Sequence, residues 1–340
     1  RYVIALMPED LPVFSALCER ERCPYSVVGT MNNSSRLVVE DSESAARPVD
    51  MDMQALLGKT PQTLKNIKTS PRKIPDNRLV GLDLAESCRR ILQFPTVADK
   101  SFLIHIADRT VGGLVSQDQL VGPWQVPVSD VAVTLRGFTS TAGEAMAMGE
   151  RTPVALLNPA ASGRLAVGEA VTNLAAARIN KLSDVRLSAN WMAASGLESE
   201  DQALFETVTA VGRELCRDLG IAIPVGKDSL SMQTRWQDED GEKSVQSPLS
   251  LIISGFAPVA DVRRTLTPQL RVAPESQLFL IDLGEGNDRL GGSCLSQVYE
   301  LPGGAPASGP SSRSFTSSSA PSTAPRSPRR TTSGWRSARR

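Results

Sequence analysis

At 340 residues the chain has room for two or three domains, and a hydrophobic share of 41% is enough to build packed cores. Its formal charge of zero hides an asymmetry: basic and acidic residues both number 37, but residues 301–340 hold seven Arg, no Lys and no acid, leaving 30 basic against 37 acidic residues in 1–300. A body with a net charge of −7 makes no general case for nucleic-acid binding, and no uninterrupted apolar run is long enough to span a membrane.

Cys18, Cys23, Cys88, Cys216 and Cys294 are scattered without a CxxC pair, a pattern that fits a reduced, cytosolic protein better than a disulfide framework. His105 is the sole histidine and sits in an apolar run. Neither a Ser/His/Asp nor a Cys/His site can be assembled, so no residue is assigned a catalytic role.

In chain order, residues 1–6 read as a strand and 11–21 as a short helix, with Leu11, Phe14 and Leu17 at helical spacing. Residues 25–29 and 36–40 are β-like, separated by the turn-rich Met31-Asn-Asn-Ser-Ser. Residues 41–75 are polar and carry Pro48, Pro61, Pro71 and Pro75, as a connector would. Residues 82–93 read as an amphipathic helix ended by Pro95.

A new domain is expected from about residue 98. Residues 102–107 and 126–133 are strand candidates, 142–148 a helix, 154–157 a strand and 163–178 a helix. A short strand over 185–189 leads into Asn190-Trp191-Met192-Ala193-Ala194, read as a loop lining a pocket. Residues 201–219 predict a long helix stopped by Gly220, followed by strands at 221–225, 231–236 and 249–256, with a hairpin turn at 238–243. Another strand is expected at 278–283, then a glycine-rich loop over 284–292 leading to a helix from Ser293. From 301 the composition turns to Ser, Pro, Thr, Ala, Gly and Arg without periodicity, which predicts disorder. Strands and helices in this mixture predict an α+β layer architecture, a mixed sheet with helices on one face.

One constellation carries chemistry. Asp130 ends an apolar, Pro-punctuated run at the mouth of a strand. Glu169 and Asn173 are four residues apart in an Ala/Leu/Val-rich helix, hence on one face. A Glu and an Asn at that spacing are usually a solvated surface. Here the small, apolar composition of 164–178 argues for burial, where a carboxylate needs a partner or a metal. Two carboxylates and an amide are an all-oxygen set suited to Mg²⁺, which takes further ligands from water and phosphate. By contrast, Gly220-Ile-Ala-Ile-Pro-Val-Gly226-Lys227-Asp228-Ser229 is no P-loop: five residues separate its glycines instead of four, and Asp follows Lys. Lys227 and Asp228 are expected on a loop beside a sheet.

Several longer stretches carry a resemblance. They are Cys23-Pro-Tyr-Ser-Val-Val-Gly29, Leu56-Leu-Gly-Lys-Thr-Pro61, Asp118-Gln-Leu-Val-Gly-Pro-Trp-Gln-Val-Pro-Val128 and Gly149-Glu-Arg-Thr-Pro-Val-Ala-Leu-Leu157. Arg164-Leu-Ala-Val-Gly-Glu-Ala-Val-Thr-Asn173, Leu187-Ser-Ala-Asn-Trp-Met-Ala-Ala194, Ile223-Pro-Val-Gly-Lys-Asp-Ser229 and Leu266-Thr-Pro-Gln-Leu270 continue it. In order, from 1 to 299, the chain resembles the large bacterial form of phosphoribosylformylglycinamidine synthase.

The resemblance implies a duplicated synthetase unit related to aminoimidazole ribonucleotide synthetase. Residues 1–45 would end the second domain of the first unit, and 46–97 would be linker and helix. Residues 98–258 would form the first domain of the second unit and 259–300 the start of its partner domain. It implies a ligase that converts formylglycinamide ribonucleotide, glutamine and ATP to formylglycinamidine ribonucleotide, glutamate, ADP and phosphate. It also implies Mg²⁺ held by Asp130, Glu169 and Asn173, and ATP or ADP contacted by Ser129 (often Ala in the family) and more weakly by Lys100. By the same resemblance this is the unit's non-reacting site, where Mg²⁺ clamps phosphates and holds domains together.

The glutaminase domain falls outside this chain, so no cysteine is assigned as its nucleophile. The chain reads as an internal piece of a longer protein whose tail, 301–340, suggests a frameshift. Partners are then the nucleotide, with formylglycinamide ribonucleotide and glutamine in the complete enzyme, and neither nucleic acid nor membrane. The competing reading is a non-catalytic nucleotide-binding scaffold or a truncated, inactive product.

Overall fold

The computed structural model describes residues 2–59, 64–74, 79–107, 109–110, 112–270, 272–284, 286–287 and 289–309. Pro61 and Pro75 of the expected connector, and the tail from 310 onward, lie outside the described residues. The chain divides into two compact units, 1–66 and 67–340.

In the first unit, a 3₁₀ turn at Pro8–Asp10 leads into α1 (Leu11–Arg20), which has Pro12 in its first turn, where a missing N–H costs nothing. Strands β1 (Arg36–Val39) and β2 (Val49–Asp52) pair antiparallel, with Arg36 opposite Asp52. The Arg36 guanidinium meets the Asp50 carboxylate at 2.6 Å across the pair. Asp52 then caps α2 (Met53–Leu57) by accepting from the Gln54 N–H. Thus β2 and α2 occupy part of the stretch expected as a connector. Among the described residues, 2–6 and 25–29 do not form the strands expected there. Tyr2 and Val3 stay 94% and 92% exposed, and among the described residues neither segment finds a strand to pair with. Local β-propensity without a ladder is not enough to hold a strand.

In the second unit, α3 (Leu84–Gln93) is capped by Asp83, whose side chain accepts from the Glu86 N–H. Residues expected as a strand form α4 instead (Ser101–Ile106). Asp99 accepts from both the N–H and the Oγ of Ser101, satisfying donors at the helix start, which propensity alone did not register. There follow β3 (Ala132–Leu135), β4 (Gly143–Glu150), α5 (Thr152–Ala155), α6 (Pro159–Leu174), β5 (Arg186–Met192) and α7 (Glu198–Val208). Next come a π-helical segment Thr209–Leu215, α8 (Cys216–Leu219), β6 (Ala222–Ser229), β7 (Gln233–Asp238), β8 (Gly241–Gln246), β9 (Ser250–Val259) and α9 (Cys294–Val298). From α7 through α8 the helix is continuous, as its apolar stripe predicts.

Five strands form one mixed sheet in the order β3-β4-β9-β5-β6, antiparallel except for the β5–β6 pair. β7 and β8 make a separate hairpin. α6 lies on one face of β4 and β9, and α7 packs against α6. The core is Val167, Val171 and Leu174 of α6 against Leu187, Leu251 and Ile253 of the sheet. Full burial of each large side chain contributes roughly 1.5–3 kcal/mol. Gly163 sets the spacing of α6 and α7. A Cβ there would lie 2.6 Å from Thr207 Cγ2 and 2.8 Å from Val211 Cγ2.

Several sequence expectations are overturned here. Residues 142–148 are strand β4, not a helix. Gly143, Ala145, Ala147 and Gly149 are buried while Glu144 and Met148 are exposed, a period of two. Ala and Met favour helices, but pairing with β3 on one side and β9 on the other overrides that preference. Residues 154–157 fall in and just after α5, with Pro153 in its first turn. Asn190, Trp191 and Met192 belong to β5, between β6 and β9, rather than to a loop. Lys227 and Asp228 lie on edge strand β6, not on a loop. The strand expected at 278–283 is absent, and Leu278 and Leu280 are exposed. Residues 301–309, expected to be disordered, are placed: Gly291 bridges Pro306, which is buried, and Arg164 Nε donates to the Ser308 carbonyl at 2.8 Å. Among the described residues no helix is long and apolar enough to cross a membrane.

An extended strap, residues 67–74, runs along α7. The Lys68 N–H donates to the Glu198 carboxylate at 3.2 Å. The Gln202 amide grips Ser70 both ways, accepting its N–H at 3.0 Å and donating to its carbonyl at 3.1 Å. Arg72 donates to the Ser199 carbonyl at 3.1 Å. Two hydrogen bonds of about 1 kcal/mol each hold the strap at Gln202. Gln202→Ala is therefore expected to speed tryptic cleavage after Lys68 by about tenfold or more, followed by mass spectrometry. An unchanged cleavage rate would show that the strap is held elsewhere.

Candidate functional site

The site is built on α6. Asn158 caps this helix, accepting from the Ala161 N–H at 2.9 Å, and Pro159 opens it. Small residues then let it lie close on the sheet, with Ala166, Val167 and Ala170 fully buried. Glu169 and Asn173 share one face and reach the same end of β4. Glu169 Oε2 accepts from the Glu150 N–H at 2.9 Å, and Asn173 Nδ2 donates to the Met148 carbonyl at 3.2 Å. Gly149, between those two strand residues, makes the approach possible. A Cβ on it would run into the Ala166 carbonyl oxygen and stand 2.6 Å from the Ala170 nitrogen. The helix is buried as its composition predicts, and the Glu169 carboxylate is partnered: Arg151 Nη2 lies 3.4 Å from its Oε1.

Asp130 lies two residues before β3. That strand pairs with β4 so that Ala132 faces Met146. That is the first pair of the ladder, and Asp130, in a bend, lies outside it. Asp130 is exposed. Glu169 and Asn173 meet at one end of β4, and among the described residues no hydrogen bond or ion pair ties Asp130 to them.

Ser129 precedes Asp130, and its surroundings hold it in place. Its N–H donates to the Gln119 carbonyl at 2.8 Å and its Oγ to the Val131 carbonyl at 3.0 Å. Gln119 is fixed in turn, its N–H on the Asp118 carboxylate at 2.9 Å and its Nε2 on the Arg109 carbonyl at 3.2 Å. Arg109 pairs with Asp118 and holds that carboxyl below its usual range. Lys100 behaves differently. Its Nζ donates to the carbonyls of Thr96 at 2.8 Å and Ala98 at 2.9 Å, on its own loop. Among the described residues no hydrogen bond or ion pair links it to Ser129, Glu169 or Asn173.

By residue type, two carboxylates and an amide would suit a hard cation. Asp130 and Glu169 supply carboxylate oxygens. Asn173 spends its amide nitrogen on Met148 and keeps its oxygen as an acceptor. Two acids and an amide fall short of a protein-only cage, and among the described residues no group of three or more His, Cys, Asp and Glu could hold a metal ion. Such a partial set leaves places for water and phosphate, as Mg²⁺ prefers. Sequence reasoning missed the supports: Gly149, Arg151, and the Arg109–Asp118–Gln119 latch behind Ser129. A glycine repeated at even spacing with Ala145 and Ala147 was the available signal for Gly149.

Residues 99–258 match the family model of the FGAR-AT PurM_N-like domain, and all five residues singled out from the sequence fall within that span. Among solved structures, PurLQS from Thermotoga maritima is similar at 16% identity with a TM-score of 0.51, covering 77% of this chain and 38% of that one. PurL of the same organism complexed with ATP is similar at 15% identity with a TM-score of 0.48, again over 77% and 38%. The chain spans well under half the length of these relatives. The likeness to the first of them is one of fold, the α+β architecture with its mixed sheet.

Proposed function

We propose that residues 99–258 form a Mg-nucleotide-binding domain belonging to a purine-biosynthetic ligase, phosphoribosylformylglycinamidine synthase in its large bacterial form. The observation that carries this reading is the convergence of Glu169 and Asn173 on Met148–Glu150. The match of this same span to the FGAR-AT PurM_N-like model supports it. The whole ligase would be cytosolic and use ATP and glutamine to convert formylglycinamide ribonucleotide to formylglycinamidine ribonucleotide.

Asp130, Glu169 and Asn173 would hold Mg²⁺, which when bound offsets the negative charge of nucleotide phosphates. Ser129, fixed through Gln119, orients the nucleotide beside them. Lys100 contributes a phosphate contact once its ammonium leaves the Thr96 and Ala98 carbonyls. The Glu150 N–H and Arg151 keep the Glu169 carboxylate in place. In this reading none of these residues is given a nucleophilic or proton-transfer role, and the domain binds and braces rather than reacts. The scaffold reading of the isolated chain follows from the same point.

Calorimetric titration of the chain with ATP, with Mg²⁺ and with chelator, tests the site. Binding is expected to need Mg²⁺, and Asp130→Asn is expected to weaken it by about tenfold or more, the loss of one charge-assisted ligand. Equal affinity in a folded Asp130→Asn chain would remove Asp130 from the site. With ammonia in place of glutamine, no turnover is expected from this chain alone. Formation of formylglycinamidine ribonucleotide would sink the bracing role.

A further inference from the structure

The end of α1 carries two thiols that the nucleotide site does not use. Arg22 stands in the left-handed conformation at φ 53°. Its N–H donates to the Glu19 carbonyl at 3.1 Å, and the next N–H, from Cys23, reaches back to the Cys18 carbonyl at 2.8 Å. These two bonds make a Schellman ending, in which the side chains of the first and last residues of the motif meet. That contact is usually apolar; here both residues are cysteine. Cys18 is only 8% exposed and Cys23 is open to solvent.

The segment after the turn is held against the helix. The Tyr25 ring meets Phe14 edge-on, with centroids 5.5 Å apart, and its hydroxyl is 2.6 Å from Ser15 Oγ. With standard bond lengths, the backbone bond between Cys23 and Cys18 limits their Cα separation to about 6.7 Å. A disulfide needs roughly 4.4–6.8 Å.

We infer that Cys18 and Cys23 form a thiol–disulfide site that is oxidised by small-molecule disulfides. Cys23, as thiolate, attacks one sulfur of the disulfide, forming a mixed disulfide and releasing one thiolate. Cys18 loses its proton to water and attacks the Cys23 sulfur, closing the Cys18–Cys23 bond and releasing the second thiolate. Two protein thiols are oxidised, and one disulfide is reduced to two thiols. Burial and the neighbouring thiol push the Cys18 pKa up, which makes Cys23 the attacking group and Cys18 the resolving one.

The test uses the full chain, reduced, cleared of reductant, incubated with oxidised glutathione, alkylated and digested with trypsin without reduction. Arg20 and Arg22 lie between the cysteines, so a Cys18–Cys23 bond holds two tryptic peptides together. Burial pushes the Cys216 thiol up to about 11, so it does not compete. The linked pair is expected, with an exchange constant about tenfold or more above that of the same chain in urea, because the turn preorganises the thiols. Cys18→Ser is expected to stop at the Cys23 mixed disulfide, and Cys88→Ser to leave the pair intact. Equal constants in native and unfolded chain would overturn the inference. So would accumulation of the Cys23 mixed disulfide with Cys18 still reduced.

Discussion

Gly149→Val is expected to destabilise the second unit by about 3 kcal/mol or more, at the upper end of what overpacking a core costs. The atoms that a side chain there would strike are backbone: the Ala166 carbonyl oxygen and the Ala170 nitrogen, with Glu169 Cβ at 3.0 Å. None of them is the far end of a flexible side chain. Only a shift of α6 as a body could make room, and α6 is packed on its other side against α7 with Gly163 already in contact distance. The same shift would break the Glu169–Glu150 and Asn173–Met148 bonds. Urea denaturation of the variant and the native chain measures the effect. A difference below about 1 kcal/mol would mean that α6 and β4 are not in close approach.

Glu169 offers a second large effect, because two substitutions there separate its two roles. Glu169→Gln keeps an oxygen that accepts from the Glu150 N–H and removes the charge. The side chain is about one-third exposed and Arg151 is 3.4 Å away, so the lost ion pair is worth less than about 1 kcal/mol. Mg-dependent nucleotide binding is expected to fall by about tenfold or more, while stability stays near that of the native chain. Glu169→Ala also removes the acceptor and leaves a strand N–H without a partner, at about 1–3 kcal/mol. If Gln and Ala lower stability alike and neither touches nucleotide affinity, Glu169 is a brace for β4 and not a cation ligand.

How much of this was legible beforehand depended on whether the signal was local. The α6 helix and its pair Glu169 and Asn173 were legible because helical spacing and small-residue composition are written within a dozen residues. The long helix from α7 to α8 was legible for the same reason; strand β8 was not, since its first residues, 241–243, were read as a turn. Strand β4 was not. Gly143-Glu-Ala-Met-Ala-Met-Gly-Glu reads locally as helix-forming, and only β3 and β9 on its two sides make it a strand. Helix α4 was not legible either: its apolar residues predict a strand, and the Asp99 hydrogen bonds to Ser101 at the helix start went unweighed. Lys100 shows the limit in the other direction. Its charge suited a phosphate contact, but its placement on its own loop's carbonyls could not be read from charge.

By itself, then, the sequence determined the α+β class, the oxygen-rich chemistry of Asp130, Glu169 and Asn173, and the acidic body with its basic tail. These rest on residue type and short-range spacing, which folding does not change. The tertiary structure alone decided that Glu169 and Asn173 reach one end of β4, because their partners Glu150 and Met148 lie 19 and 25 positions away in sequence and meet them only when α6 packs on the sheet. It also decided what holds them. Gly149 lets the helix and the strand touch, and a backbone N–H and a guanidinium reach the carboxylate. Contacts across a sheet depend on register, and register is set by partners far along the chain.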